Sequence, residues 1–297
     1  MSVTPKHKVF FCSAASRYAK EMLAGTASNY ASFVLVEYNE PFPAKVANAK
    51  LNSEWLNRMN AIAKAKKGKL VLIRSTQSSI ASKKIIFVDC LQKRYCTYIS
   101  QATEYIGFDL EAYISDENTQ WQTEGFFIVC TNGKKDKCCA KFGFPVYKFF
   151  EGMLNDCDVW ECTHIGGDRF AANAVYLPYG IYYGRVTVED VPNIVNACEQ
   201  NNIYENNYRG LSRFSFLKQS IEYYLRKHTN DMGIAFPLKF LQQKNINNDF
   251  IFHTETKHGH FEISVSRQVL LYPHLLTCTS KKRENVVKFL LNYIKEI

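Results

Sequence analysis

Two stretches of this chain run through the same order of elements, and that order narrows the fold more than any single motif. In the first, "FVLVEY" (33–38) reads as a buried strand. Trp55, Leu56, Met59, Ile62 and Ala63 then recur at helical spacing behind Ser53, which suits an N-cap, and Gly68 ends the helix. "LVLIR", "IIFVD" and "YCTYI" supply three further strands. In the second, "FFIVC" delivers Cys130 at its end, and Pro145 opens a helix with Val146, Phe149, Phe150, Met153 and Leu154 on one face. "VWEC" is the next strand, and "AVYLP" with "IYYGRV" forms a hairpin about Tyr179-Gly180, Pro178 confining its strand to an edge or an end. Thr187 caps a closing helix whose Val191, Ile194, Val195 and Cys198 line one side.

A strand joined to its successor through one helix, followed by a hairpin, predicts helices layered on a small mixed sheet. The expected class is therefore α/β (α+β), with a thioredoxin-like domain over 121–205 and a second region of the same kind over 1–120. The shared order hints at an internal duplication. Residues 206–297 form a third region, read as a helix over "SFLKQSIEYYLR", an alternating strand "FEISVS", and a final helix carrying Val286, Leu290, Tyr293, Ile294 and Ile297.

With 46% hydrophobic and 22% charged residues the chain can bury a core. No run approaches the eighteen or so apolar residues of a membrane span. The first twenty residues lack a signal-peptide core, so the expected compartment is the cytoplasm, where thiols stay reduced. The net charge of +9 raises the question of nucleic acid, but its lysines lie in separate runs, "KAKKGK", "GKKDK" and "SKKR", without interleaved aromatics. Solvated faces, or steering of an acidic protein partner, account for them better than nucleic-acid or membrane binding.

Of the ten cysteines, Cys12, Cys90, Cys96, Cys157, Cys198 and Cys278 sit in or beside apolar segments and read as small hydrophobes. Those in "CTNGKKDKCCAKFG" (130–143) and "WECTHIGGDRFAAN" (160–173) occupy polar, glycine-containing loops, poor places to bury a hydrophobe. Thiolates beside an imidazole favour zinc, copper(I) or an iron-sulfur cluster and exclude calcium and magnesium. Eight residues separate Cys130 from Cys139, too many for a zinc knuckle, which points to a loop around something larger than one ion. Nitrogen in place of thiolate raises the potential of a [2Fe-2S] centre to roughly −150 to +300 mV from about −400 mV. Gly166 and Gly167 would let the backbone approach such a cluster, while Lys134, Lys135 and Lys137 would offset its charge or guide an acidic partner.

Taken in order, "CTNGKKDKCCAKFG", "HIGGDRFAAN" and "LPYGIYYGRV" resemble the sucrase/ferredoxin-like family, and "GTAS", "LVEY", "LVLIR" and "YRGLSRFSFLKQSIEYYLR" extend the likeness over most of the chain. The resemblance implies a thioredoxin-like [2Fe-2S] ferredoxin domain with Cys130 and Cys139 as ligands, the latter following Asp136. It also implies two histidines in HxxxH spacing. His164 matches the first, but Asp168 stands at the second. The fourth ligand is thus open between Asp168 and Cys162, with Cys138 behind them. In the plainer readings Cys138 packs beside the cluster, Asp168 pairs with Arg169 or caps a turn, and Tyr182 and Tyr183 are sheet residues.

The function implied is one-electron transfer by an electron carrier, with a separate reductase and acceptor as partners. The alternatives are a thiol-disulfide oxidoreductase pairing Cys130 with Cys138 or Cys139, and a structural zinc module. No carboxylate pair suggests glycoside hydrolysis and no GxGxxG follows a strand to hold a dinucleotide.

Overall fold

The computed structural model describes residues 10–76, 78–79, 81–101, 104–154, 158–270 and 275–297. Cys157 and the first nine residues, which bear on the expectations for a buried thiol and a leader, lie outside them. Helix α1 (Cys12–Tyr18) precedes β1 (Ser32–Glu37), α2 (Ser53–Ala65), β2 (Gly68–Arg74), β3 (Ser82–Asp89), β4 (Arg94–Gln101) and α3 (Leu110–Ser115). Next come β5 (Phe126–Cys130), α4 (Phe144–Met153), β6 (Val159–Cys162), β7 (Ala174–Leu177), β8 (Ile181–Tyr183), α5 (Val191–Glu199) and β9 (Tyr208–Leu211). The chain continues through α6 (Phe216–Thr229), β10 (Leu238–Ile246), β11 (Asp249–Thr256), β12 (Gly259–Val269) and β13 (Val287–Glu296).

Among the described residues, nine strands form one mixed sheet in the order β4-β3-β1-β2-β6-β5-β7-β8-β9, so the mixed α/β class is as expected. Helix α2 carries the chain from β1 to its parallel neighbour β2, and α4 does the same from β5 to β6. Strand β3 lies antiparallel to β1 and β4 to β3; β7 lies antiparallel to β5 and β8 to β7. The second four strands thus repeat the neighbours and polarities of the first four, and the duplication visible as element order is also one of topology. The halves meet where β2 and β6 pair antiparallel, Ile73 opposite Cys162 and Arg74 opposite Glu161. Arg74 and Glu161 also form an ion pair at 2.5 Å.

Side chains in register on neighbouring strands share a face. Phe33, Leu35, Val71, Ile73, Ile128, Cys130, Trp160, Cys162 and Tyr182 therefore make one buried layer that runs across both halves. On the other face α2 covers Val34, Val36, Leu70 and Leu72, whereas α4 and α5 cover Phe127, Val129 and Val159.

Local expectations shift in four places. Asn52, not Ser53, caps α2, its side chain accepting from the Trp55 amide. In α4, Val146, Tyr147 and Phe150 face the core while Phe149 and Met153 are exposed. Helix α5 starts at Val191, and Thr187 instead donates to Asp190 Oδ2 at 3.0 Å, though the face of Val191, Ile194, Val195 and Cys198 is buried as read.

The fourth correction concerns the C-terminal region, whose final helix is in fact β13, the last strand of a four-stranded meander β10-β11-β12-β13. A bulge where Ser264 pairs with Tyr293 and Val265 with Leu291 leaves Asn292 unmatched. Phe289 and Ile294 then reach one core despite their odd separation. This core is closed by Ile221 and Leu225 of α6, with Phe252, Phe261, Ile263 and Val265 opposite.

Candidate metal centre

Strand β5 ends at Cys130, directly beside Cys162 at the end of β6, and both thiols point into the layer shared by the two halves. After β5 the chain loops through 131–136, turns helical at 137–138 and continues as a π turn, Cys139–Gly143, that runs on into α4. Such turns recur at functional sites because one extra residue displaces the side chains around it. The return is held tight by Gly143, where a Cβ would lie 2.0 Å from the Cys130 carbonyl oxygen. Cys139 is thereby brought back over Cys130.

His164 and Asp168 come from the loop after β6. Gly166 and Gly167 between them have φ of +100° and +84°, a region in which glycine is preferred, and a Cβ on either would strike Ser28 Oγ or the Arg209 guanidinium. The loop's successive carbonyls each meet a donor. Tyr182 Oη donates to Ile165 O at 3.1 Å, Arg209 Nη1 to Gly166 O at 3.2 Å, and Asn173 Nδ2 to Gly167 O at 2.9 Å. Arg209, 1% exposed, also donates to Asn173 Oδ1 at 2.7 Å and to Thr26, and lies over the Phe170 ring. Arg169 does not pair with Asp168; it reaches Glu21 at 2.7 Å.

The ligand atoms of Cys130, Cys139 and His164 all lie within 4.8 Å of one another. Cys130 and Cys139 are each 1% exposed, whereas the His164 side chain keeps 26% of its surface. Asp168 Oδ1 sits 3.3 Å from Cys139 Sγ and 2.8 Å from His164 Nδ1. The second distance is that of an ion pair, but its direction is poor, and Nδ1 remains a buried atom without a well-formed hydrogen bond.

Charge and hydrogen bonding favour one anionic sulfur, that of Cys130. The bond from Cys139 and the ring of His164 pull the Cys130 thiol down to about 5 against the opposing effect of burial. Cys139, which supplies that bond and is buried beside Asp168, is raised correspondingly. Burial disfavours protonated His164, yet Asp168 and Cys130 outweigh it and raise the imidazole above its usual value. Burial likewise opposes ionised Asp168, and the His164 ring outweighs it.

Cys130, Cys139 and His164 converge as the sequence suggests, with Asp168 touching two of the three. Neither Cys162 nor Asp168 joins the group held within 4.8 Å. Cys138 turns the other way, into a separate group with Cys12, Asp136 and Cys278, so Cys12 and Cys278 are not the isolated hydrophobes expected of them. Cys90, Cys96 and Cys198 do pack as such. Sequence reasoning missed Arg209, Asn173 and the supporting role of Tyr182, although "YRGL" and "AAN" lay inside quoted motifs.

A sequence model of the sucrase/ferredoxin-like family matches residues 23–210. Among curated proteins, one named "Altered inheritance of mitochondria protein 32" from Meyerozyma guilliermondii is 33% identical over 98 residues, 30% of this chain and 35% of that protein. The protein of the same name from Debaryomyces hansenii is 34% identical over 93 residues, 28% of this chain and 34% of its own. The chain spans about a third of the length of these relatives. No solved structure matches it.

Proposed function

Because the chain belongs to the sucrase/ferredoxin-like family, we propose that Cys130, Cys139 and His164 hold a [2Fe-2S] cluster and that the protein carries single electrons. The observation that carries this reading is the convergence of two sealed thiols and a partly exposed imidazole at the ends of β5 and β6. The donor set fits: thiolates are the ordinary ligands of iron-sulfur clusters, imidazole replaces them in some, and the three ligand atoms already lie within 4.8 Å of one another. When bound, the cluster supplies a one-electron couple whose potential nitrogen ligation shifts upward.

The chain's own residues prepare the site. Cys130 sheds its proton readily, as a thiolate ligand must. Asp168 is the fourth ligand in this reading, because its carboxylate already contacts both Cys139 and His164 while Cys138 faces elsewhere. Tyr182, Asn173 and Arg209 fix the loop that presents His164. His164 is the exposed corner of the three and thus the route by which electrons enter and leave. Lys69 acts electrostatically on His164 and Lys135 on Asp168, so the surroundings suit an acidic redox partner. A separate reductase and acceptor complete the path.

No described helix is long and apolar enough to cross a membrane. The nine described cysteines are all free, which accords with the reducing cytoplasm in which we place the protein.

Anaerobic purification with iron and acid-labile sulfide analysis, and paramagnetic resonance of the reduced sample, tests the proposal. Cys130→Ala and Cys139→Ala should each abolish iron and sulfide, and Cys162→Ala should retain them. Full cluster content in the first two variants would reject the assignment. A second reading, one zinc ion on the same residues, draws on how closely the three ligand atoms cluster; zinc lost on Cys130→Ala, with no sulfide in the wild type, would favour it. Thiol-disulfide exchange is disfavoured by the burial of both thiols, and turnover of a small disulfide would restore it.

A further inference from the structure

On the far side of the same loop, Cys12 at the start of α1, Cys138 and Cys278 bring their sulfurs together. Cys12 Sγ lies 3.6 Å from Cys138 Sγ and 3.6 Å from Cys278 Sγ, and Cys138 Sγ lies 3.3 Å from Cys278 Sγ. The Asp136 carboxylate joins them, its oxygens 3.8 and 3.7 Å from Cys12 Sγ. Cys12, Cys138 and Asp136 are at most 1% exposed.

These separations exceed a disulfide's ~2.05 Å. They approach the edge of a tetrahedron around zinc, for which Zn–S bonds of about 2.3 Å set sulfurs about 3.8 Å apart. The ligands are also oriented from outside. The Cys138 amide donates to Asp136 Oδ1 at 2.8 Å and the Cys278 amide to Oδ2 at 2.6 Å, while Ser13 Oγ meets Cys138 Sγ at 3.3 Å. Three thiolates and a carboxylate carry more negative charge than one divalent ion neutralises. Lys137 and Lys141 lie over the Phe11 ring and Arg17 over Phe142, and both rings pack against Cys12 and Cys138, so cations stand at the edge of the group.

We propose that Cys12, Asp136, Cys138 and Cys278 form a second, mononuclear site that binds a thiophilic divalent cation, zinc, independently of the Cys130 centre. Its ligands come from α1, from the 136–138 segment that leads into the π turn and from the segment between β12 and β13, with Cys12 and Cys278 separated by 266 positions. One ion there fastens both distant segments to the loop. Since Cys138 is bonded directly to Cys139, it also steadies the turn that positions a ligand of the first centre.

The test uses the full chain purified reduced from cells supplied with zinc and iron. About one zinc per chain is expected in the wild type, undiminished in Cys130→Ala/Cys139→Ala and lost in Cys12→Ala/Cys278→Ala. Loss of iron without loss of zinc in the first double variant separates the two sites. Should the second double variant fail to fold, cobalt added to the metal-free wild type must give thiolate charge-transfer bands and tetrahedral cobalt bands, weakened by Asp136→Asn. Zinc retained after loss of Cys12 and Cys278, or a wild type that takes up neither zinc nor cobalt, overturns the proposal.

Discussion

Replacing Gly143 with alanine would test the closest backbone approach in the centre. Gly143 has φ −77° and ψ −38°, ordinary helical values, so alanine adds no backbone strain and the cost is purely steric. Its Cβ would sit 2.0 Å from the Cys130 carbonyl oxygen and 3.1 Å from the carbonyl carbon, where real Cβ atoms essentially never come within 3.0 Å. The obstacle is backbone and cannot rotate away. The π turn must therefore retreat from the end of β5 by about 1 Å, a forced repacking worth about 1–3 kcal/mol. Cys139 opens that turn and moves with it, and a displacement of that size is about twice what a ligand constellation tolerates, ~0.5 Å. Gly152 in the same helix is the control, since nothing lies within 4 Å of its Cβ position. Alanine there should stabilise by about 0.5–1 kcal/mol. Urea unfolding followed by circular dichroism, with iron content measured in parallel, reads both effects. Gly143→Ala should lower the midpoint and the iron loading; Gly152→Ala should raise the midpoint and leave iron unchanged. A Gly143→Ala protein equal to wild type in both measures would refute the close approach as the device that sets Cys139 against Cys130.

Two other perturbations address the His164 loop. Arg209→Lys keeps the charge but exchanges a planar fork for a single ammonium, leaving Gly166 O, Asn173 Oδ1 or Thr26 without a donor; the expected loss is about 2–4 kcal/mol in urea unfolding, and an unchanged midpoint would contradict the clamp. In the metal-free chain, protonated His164 is disfavoured by burial but favoured more strongly by Asp168 and Cys130, so its folded pKa lies above 6.5. The stabilisation is therefore complete below about pH 6.5 and fades as pH rises through the elevated folded value. Asp168→Asn should cost about 1–2 kcal/mol at pH 6 and little at pH 9, and unfolding midpoints that differ from wild type by the same amount at both would count against the pairing.

Much of the sheet was legible because its strands are buried on both faces and read as unbroken apolar runs, "FVLVE" and "FFIVC" among them. The C-terminal meander was not, because β10 is largely exposed and polar and the bulge at Asn292 destroys the two-residue alternation of β13. At the site, Cys130, Cys139 and His164 stood out by residue type in glycine-bearing loops. Arg209 did not, since its significance comes from burial more than forty positions downstream of the loop it holds. The gathering of Cys12 with Cys278 had no local signal at all, because it depends on where the two ends of the fold come to rest.

The pairing of β2 with β6 has a further consequence. The last residues of β2 and β6, Ile73 with Cys162 and Arg74 with Glu161, join the two four-stranded units into one sheet. One chain thus performs internally what two copies of one such unit would achieve by edge-to-edge association. A fragment carrying only the β5–β8 unit would bare that seam and invite self-pairing or aggregation, so the two repeats are safeguards for each other's solubility as well as neighbours in a sheet.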